Sequence, residues 1–125
     1  MARERGDLEG ILGPLEAQVL RAIWDLDHPA SVREVLEQVN RHRSKDLAYT
    51  TVMTVLTKLA GKGILDRKLS GRAYLYEATV DDAASIAVRD VLGQFGEAAV
   101  ARFVDEARAD AGLRRRLEQL LEETE

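Results

Sequence analysis

The sequence of 125 residues predicts a mainly helical fold that contains one small β-hairpin. Three segments before residue 63 carry apolar residues at helical spacing, and two short segments rich in β-forming residues then flank the dipeptide Ser70-Gly71. Beyond residue 80 the helical spacing returns without any strand pattern. These observations predict the order helix, helix, helix, hairpin, followed by three more helices.

The composition of the chain excludes several kinds of site and favours a small globular protein. A chain of this length with 46% hydrophobic residues forms one domain, or a small domain with an appended segment. The absence of cysteine excludes disulfides, thiolate metal sites and a cysteine nucleophile, and fits a reducing compartment. The amino terminus is charged and no apolar run approaches the roughly 18 residues of a membrane helix. We therefore expect a cytoplasmic protein without membrane insertion.

Local signals place the first two helices. Pro14 suits a first helical turn, and five apolar residues line one face of a helix from about 14 to 26, ended by "DHPA". Ser31 stands three residues before Glu34, which is a capping-box pattern, and predicts a second helix over about 32 to 42.

The segment "TTVMTVLT" suggests a strand by composition, because six of its eight residues are β-branched. Its apolar residues nevertheless follow helical spacing: Val52, Val55, Leu56 and Leu59. We expect a third helix from about 49 to 62, with Gly63 as its C-cap.

The polar side of this third helix is typical of a surface that enters a DNA groove. The centre of this side is formed by Thr50, Thr54, Thr57 and Gly61. One flank is formed by Thr51, Lys58 and Lys62, and the other flank by Met53. Short hydroxyl side chains allow close approach to base edges, threonine methyls can contact thymine, and lysines can contact phosphates. The alternative interpretation is that these threonines lie on a solvent-exposed helix surface that binds no ligand.

The hairpin segments "ILDRKL" and "RAYLYEA" add three cations typical of phosphate contacts: Arg67, Lys68 and Arg72. The alternative is that these cations only keep an exposed hairpin soluble, since exposed hairpins are often basic for that reason. Residues 41–72 hold eight basic residues against two acids, a net +6, whereas residues 80–125 hold six against eleven, a net −5. One basic segment in a mildly acidic chain is compatible with a nucleic-acid surface.

The segment after residue 80 carries three short apolar faces on predicted helices. Their members are Val88, Val91, Leu92 and Phe95; Val100, Phe103, Val104 and Ala107; and Leu113, Leu117, Leu120 and Leu121. Helices totalling about 45 residues bury too little surface to form a core alone. We expect them to pack against a second copy, with residues 1–79 as a DNA-binding domain and 80–125 as a dimerisation domain of a homodimer.

The predicted order to residue 79 is that of a winged helix-turn-helix. The segments "AYTTVMTVLTKLAGKGIL", "GRAYLYEAT" and "LEAQVLRAIW" resemble the penicillinase repressor family, the BlaI and MecI type. The resemblance implies a transcriptional repressor whose winged-helix domain binds a palindromic double-stranded operator and whose helical carboxy-terminal domain dimerises. Such repressors control β-lactamase genes and other operons.

By position in the family, each group of residues has an implied role. Tyr49 would lie near a phosphate. The residues facing bases would be Thr50, Thr51, Met53 and Thr54, and those holding the backbone would be Lys58, Lys62, Arg67 and Arg72. Copper-responsive relatives carry paired cysteines near the carboxy terminus, and this chain has none. We therefore expect neither metal sensing nor a cofactor.

The family is also linked to a membrane sensor peptidase and to cleavage before a phenylalanine that usually follows asparagine. Here Arg102 precedes Phe103, so we do not expect cleavage at this bond. Any cut between residues 80 and 110 would still remove part of the dimer interface. We therefore expect loss of dimerisation to be sufficient to end repression.

An enzyme is not expected from these residues. His28 and His42 form no pair at ligand spacing, and no glycine-rich loop follows a strand, so neither a catalytic nor a metal site is predicted. Two alternatives remain open, namely a winged helix that binds protein and a ligand-responsive regulator.

Overall fold

The computed structural model describes residues 8–123, and within them it confirms the predicted mainly helical fold with one hairpin. The elements are α1 (Leu8–Ile11), α2 (Pro14–Leu26), α3 (Val32–Asn40), α4 (Tyr49–Gly61), β1 (Leu65–Ser70), β2 (Ala73–Ala78), α5 (Ala83–Phe95), α6 (Glu97–Ala109) and α7 (Ala111–Glu123). The three-helix and hairpin order is that of a winged helix-turn-helix, in which α4 follows the turn and the β1–β2 hairpin is the wing. The short helix α1 was not predicted from the sequence.

The chain divides into two compact units, one up to Asp90 and one from Val91, so the division falls inside α5. In the amino-terminal unit the predicted apolar faces of α2, α3 and α4 are buried together, and Leu20, Val35 and Leu56 are fully inaccessible to solvent. The first turn of α5 joins this core through Ala83 and Ile86. These side chains hold α4 by its apolar face and leave its other face exposed.

The helix ends follow the local sequence signals. Ser31 and Glu34 form the predicted capping box, with Ser31 Oγ accepting from the Glu34 amide at 3.2 Å and Glu34 Oε1 accepting from the Ser31 amide at 3.0 Å. The helix that this box begins ends at Asn40, two residues before the predicted end, because the amides of His42 and Arg43 bond to carbonyls three positions back, not four.

Gly63 ends α4 in a Schellman motif. Its φ of +78° is open to glycine at little cost, and its amide donates to the Ala60 carbonyl at 3.0 Å. The Ile64 amide donates to the Leu59 carbonyl at 3.0 Å, and both of these side chains are fully buried. This arrangement satisfies the last carbonyls of α4 and directs the chain into the wing.

The wing turns one residue later than its sequence suggested. Ser70 pairs with Ala73, so the turn consists of Gly71 and Arg72, and the predicted Ser70-Gly71 turn is wrong. Gly71 has a φ of +65°, whereas Arg72 does not have positive φ, which is the pattern of a type II′ turn. Arg72 therefore lies in the turn, although it was expected to begin a strand.

A backbone pair outside the wing anchors its second strand. The Ala30 amide donates to the Tyr76 carbonyl at 2.9 Å, and the Tyr76 amide donates to the Ala30 carbonyl at 2.8 Å. This bridge connects the α2–α3 loop to β2 and buries the Tyr76 side chain. The local sequence contains no signal for it, because its partners lie 46 residues apart.

In the carboxy-terminal unit α6 and α7 pack on each other, and from Val91 to Glu123 Ala107 alone is fully buried. Most large hydrophobic side chains of α5 to α7 are exposed in the single chain. No helix within residues 8–123 combines the length and apolarity that crossing a bilayer requires.

Candidate nucleic-acid interface

The side of α4 that faces away from the core carries what we call the threonine face, consisting of Thr50, Thr51, Met53, Thr54 and Thr57. Thr51 is half-buried and the other four residues are exposed. Thr54 Oγ1 donates to the Thr50 carbonyl and Thr57 Oγ1 donates to the Met53 carbonyl, each at 2.9 Å. Such bonds to the preceding turn offer the hydroxyl a partner inside a helix. Because the hydroxyl hydrogens of Thr54 and Thr57 are used in this way, the oxygen lone pairs and the methyl groups of these two residues remain available to a ligand.

This chemistry matches the floor of a major groove. A hydroxyl oxygen can accept from the amino group of cytosine or adenine, and a threonine methyl can contact the thymine methyl. Met53 adds an apolar contact and is 41% exposed, while Tyr49 at the start of the helix is 43% exposed. The N-cap residue Ala48 makes no side-chain cap bond, so the first amides of α4 retain their attraction for an anion.

The two lysines beside this face differ in their surroundings. Lys58 is exposed, and among the described residues it has no ion pair. Lys62 Nζ lies 3.1 and 3.4 Å from the carboxylate oxygens of Glu16, near the start of α2. The Glu16 side chain is only 16% exposed. Lys62 is therefore occupied by an internal partner that the sequence analysis did not consider.

One cation of the wing stacks on an aromatic ring. The Arg67 guanidinium carbon lies 4.4 Å from the centroid of the Tyr74 ring, and Tyr74 is 43% exposed. Leu69 is the cross-strand partner of Tyr74 and is 65% exposed. Lys68 and Arg72 are also exposed. Stacking restrains the Arg67 side chain, so that its charge is held beside the wing tip.

Side chains also hold the turn between α3 and α4. Asn40 accepts from the Leu47 amide through Oδ1 at 2.9 Å and donates to the Leu47 carbonyl through Nδ2 at 3.3 Å. Arg43 donates through Nε to the Lys45 carbonyl at 2.9 Å and through a terminal nitrogen to Gln18 Oε1 at 2.6 Å. These roles of Asn40 and Arg43 were not predicted from the sequence.

His28 and the cavity beside Trp24 do not form a second nucleic-acid site. His28 Nδ1 contacts the Pro29 carbonyl at 3.0 Å and its Nε2 lies 3.7 Å from Glu34. A cavity of about 590 Å³ beside Trp24 is lined by acids that include Asp27 and Glu77, which would repel phosphates. Within residues 8–123 no group of three or more histidine and carboxylate side chains could hold a metal ion.

The residues predicted for dimerisation lie on α5, α6 and α7. Val104 and Leu117 are half-buried. Ala107 is buried, and the others are exposed in the single chain: Val88, Val91, Leu92, Phe95, Val100, Phe103, Leu113, Leu120 and Leu121. Exposed apolar side chains at this density are typical of a surface that contacts another molecule.

Comparison with known proteins identifies relatives of this chain. A family model described as penicillinase repressor matches residues 12–123. The transcriptional regulator BlaI of Mycobacterium tuberculosis, from strains CDC 1551 and H37Rv, is 37% identical over 118 residues, which cover 87% of this chain and 84% of BlaI.

Solved structures support the fold alone. The complex structure of hsRosR-S4 has a TM-score of 0.50 at 20% identity and covers 90% of this chain and 89% of that chain. The complex structure of hsRosR-S1 also has a TM-score of 0.50, at 18% identity, covering 90% and 91%. The family match extends through the winged helix and the carboxy-terminal helices, and the BlaI identity covers most of the chain. This chain therefore belongs to the penicillinase repressor family.

Proposed function

We propose that this protein represses transcription by binding a palindromic operator as a homodimer, with α4 in the major groove and the wing along the adjoining backbone. The observation that carries the proposal is the threonine face, which is exposed, uncharged at its centre and flanked by cations. A winged helix that binds protein would instead carry an apolar or acidic face on α4. The BlaI relatives are named as transcriptional regulators, which supports the same assignment.

Roles within the proposed interface follow from reach and charge. The base-edge contacts come from the exposed Thr50, Met53, Thr54 and Thr57 and from the half-buried Thr51, since all five lie on the side of α4 that faces away from the core. The phosphate contacts come from Lys58, Arg67, Lys68 and Arg72, with Tyr49 close to the phosphate at the helix start. Lys62 remains with Glu16 unless DNA displaces that carboxylate.

Selection from fragmented genomic DNA tests this function directly. The full chain should enrich fragments that share an inverted repeat whose half-sites face the same side of the duplex. Thr54→Ala should lower the preference for that site, because each lost base contact costs about 1–3 kcal/mol. Arg72→Ala should weaken the selected and random duplexes alike, which makes it the matched control. Failure to enrich any sequence would contradict the proposal.

The homodimer follows from the exposed apolar surface of the carboxy-terminal helices. A second copy would cover side chains such as Phe95 and Leu120, which water surrounds in the single chain. Leu120→Glu should therefore shift sedimentation at micromolar concentration toward the monomer. Gln119→Glu adds the same charge at an adjacent position on the polar side of α7 and should leave the dimer intact. Equal behaviour of the two variants would exclude α7 from the interface.

Derepression follows, in this proposal, from loss of the dimer. Two linked half-sites commonly gain a factor of about 10²–10⁴ in affinity over one. Leu120→Glu should thus bind the operator at least about a hundredfold more weakly than the unchanged chain. A membrane sensor peptidase is the partner implied by the family, and mass spectrometry of the repressor from induced cells would locate any cut. We place that cut elsewhere than between Arg102 and Phe103.

A further inference from the structure

The α3–α4 turn is held chiefly by side chains in the structure. The amide and the carbonyl of Leu47 both bond to the carboxamide of Asn40, the last residue of α3. The Asn40 side chain therefore takes the place of a backbone partner for both the amide and the carbonyl of Leu47. Leu47 stands two residues before Tyr49, where α4 begins. Movement of Leu47 would thus move the start of α4.

A second support extends from this turn to the core helix α2. Arg43 bonds to the Lys45 carbonyl inside the turn and to Gln18 on α2 at 2.6 Å. Gln18 and Arg43 are both half-buried, so water competes less for this bond than at a fully exposed site. The turn is consequently tied at one end to α3 and along its length to α2.

We propose that Asn40 is a positioning residue for base recognition, and that Arg43 acts with it through Gln18. This inference rests on the proposed function of the threonine face. Base-edge contacts are short and directional, so a small displacement of α4 removes them, whereas phosphate attraction tolerates the same displacement because it acts over a Debye length of about 8–10 Å. Asn40 therefore controls sequence preference more than total affinity for DNA.

The test compares full-length variants on two duplexes, the operator obtained by selection and a random sequence, at one salt concentration. Asn40→Ala should lower operator affinity about tenfold, as expected for two lost hydrogen bonds and a less ordered turn, and leave random-duplex affinity within about twofold. Gln18→Ala removes only the anchor of Arg43 and should lower the operator preference about threefold. Gln38→Ala is the control and should change neither affinity, because Gln38 lies on the same helix α3, is half-buried like Asn40, and bonds to Arg41 instead of to Leu47.

An unchanged ratio of operator to random affinity in Asn40→Ala would overturn the inference. An equal loss on both duplexes would also overturn it, because a merely structural role lowers the folded fraction without altering preference. If Asn40→Ala does not fold, Gln18→Ala decides, since a lower ratio supports the inference and an unchanged ratio overturns it. An unchanged chain without any sequence preference would refute the proposed function instead, so the two failures are distinguishable.

Discussion

Replacement of Lys62 by methionine should leave the salt dependence of DNA binding almost unchanged, although the sequence pattern places this lysine beside the threonine face. Its ammonium already contacts both carboxylate oxygens of Glu16, at 3.1 and 3.4 Å. A phosphate that captured Lys62 would leave the Glu16 carboxylate without a partner, and this carboxylate would recruit a cation from solution. The exchange would release no net counterion, and counterion release is what salt dependence reports.

Lys58 is the matched comparison, because it lies on the same helix and is exposed without an ion pair in the described residues. Each neutralised phosphate contributes about 0.9 to the slope of log affinity against log salt. Loss of one contact in each protomer of a two-fold dimer therefore lowers the slope by about 1.8. Between 50 and 200 mM salt, this difference changes the ratio of dissociation constants by about twelvefold.

Fluorescence anisotropy with a labelled operator, measured over a salt series, gives these slopes. Lys58→Met should lose about 1.8 and Lys62→Met less than about 0.5, while Glu16→Gln frees Lys62 and should raise the slope by up to about 1.8. Thermal unfolding of each variant confirms that it is folded. Equal losses for Lys58→Met and Lys62→Met would refute the reasoning, because they would show that the Glu16 pair opens on DNA.

Three predictions concern stability and are read from urea midpoints at fixed protein concentration. Gly61→Ala should stabilise by up to about 1 kcal/mol, since an added Cβ meets nothing within 4 Å, whereas Gly63→Ala should destabilise by about 1–2 kcal/mol because of its φ of +78°. Midpoints that shift in the same direction would contradict this pair. Ser31→Ala should cost about 1 kcal/mol through loss of the capping box, and no change would show that the box is dispensable. The hydrogen bond from Arg21 lowers the pKa of Glu9 from 4.5 to about 2, so its stabilisation is complete above about pH 4.5 and is lost as the pH falls toward 2. Glu9→Gln should therefore approach the unchanged chain at low pH, and a difference that did not vary with pH would contradict the assignment.

Features that depend on neighbouring residues were predictable from the sequence. Helical spacing identified α4 despite its β-branched composition, and the Ser31–Glu34 spacing identified a capping box that the structure confirms. The wing was predicted as well, but its turn was displaced by one residue because a glycine can occupy either central position of a two-residue turn. The additional helix α1 was missed although Leu8, Ile11 and Leu12 follow helical spacing.

Pairing between distant side chains was not predictable. The sequence placed Lys58 and Lys62 together on the rim of α4, and only the packing of α2 against α4 separates them, because it brings Glu16 to one and not to the other. The Asn40 and Arg43 bonds likewise depend on how the turn folds back on α3 and α2.

The sequence by itself therefore determined the family, the order of the elements and the face of α4 that is exposed, since periodicity is a property of consecutive residues. The tertiary structure decided which polar side chains already have partners and which are available to DNA, as for Lys62, held by Glu16, and the exposed Lys58. The physical reason is the distance that a long polar side chain can span. A long polar side chain can bond to any group within a few ångströms, and only the packed core determines which helix lies that close.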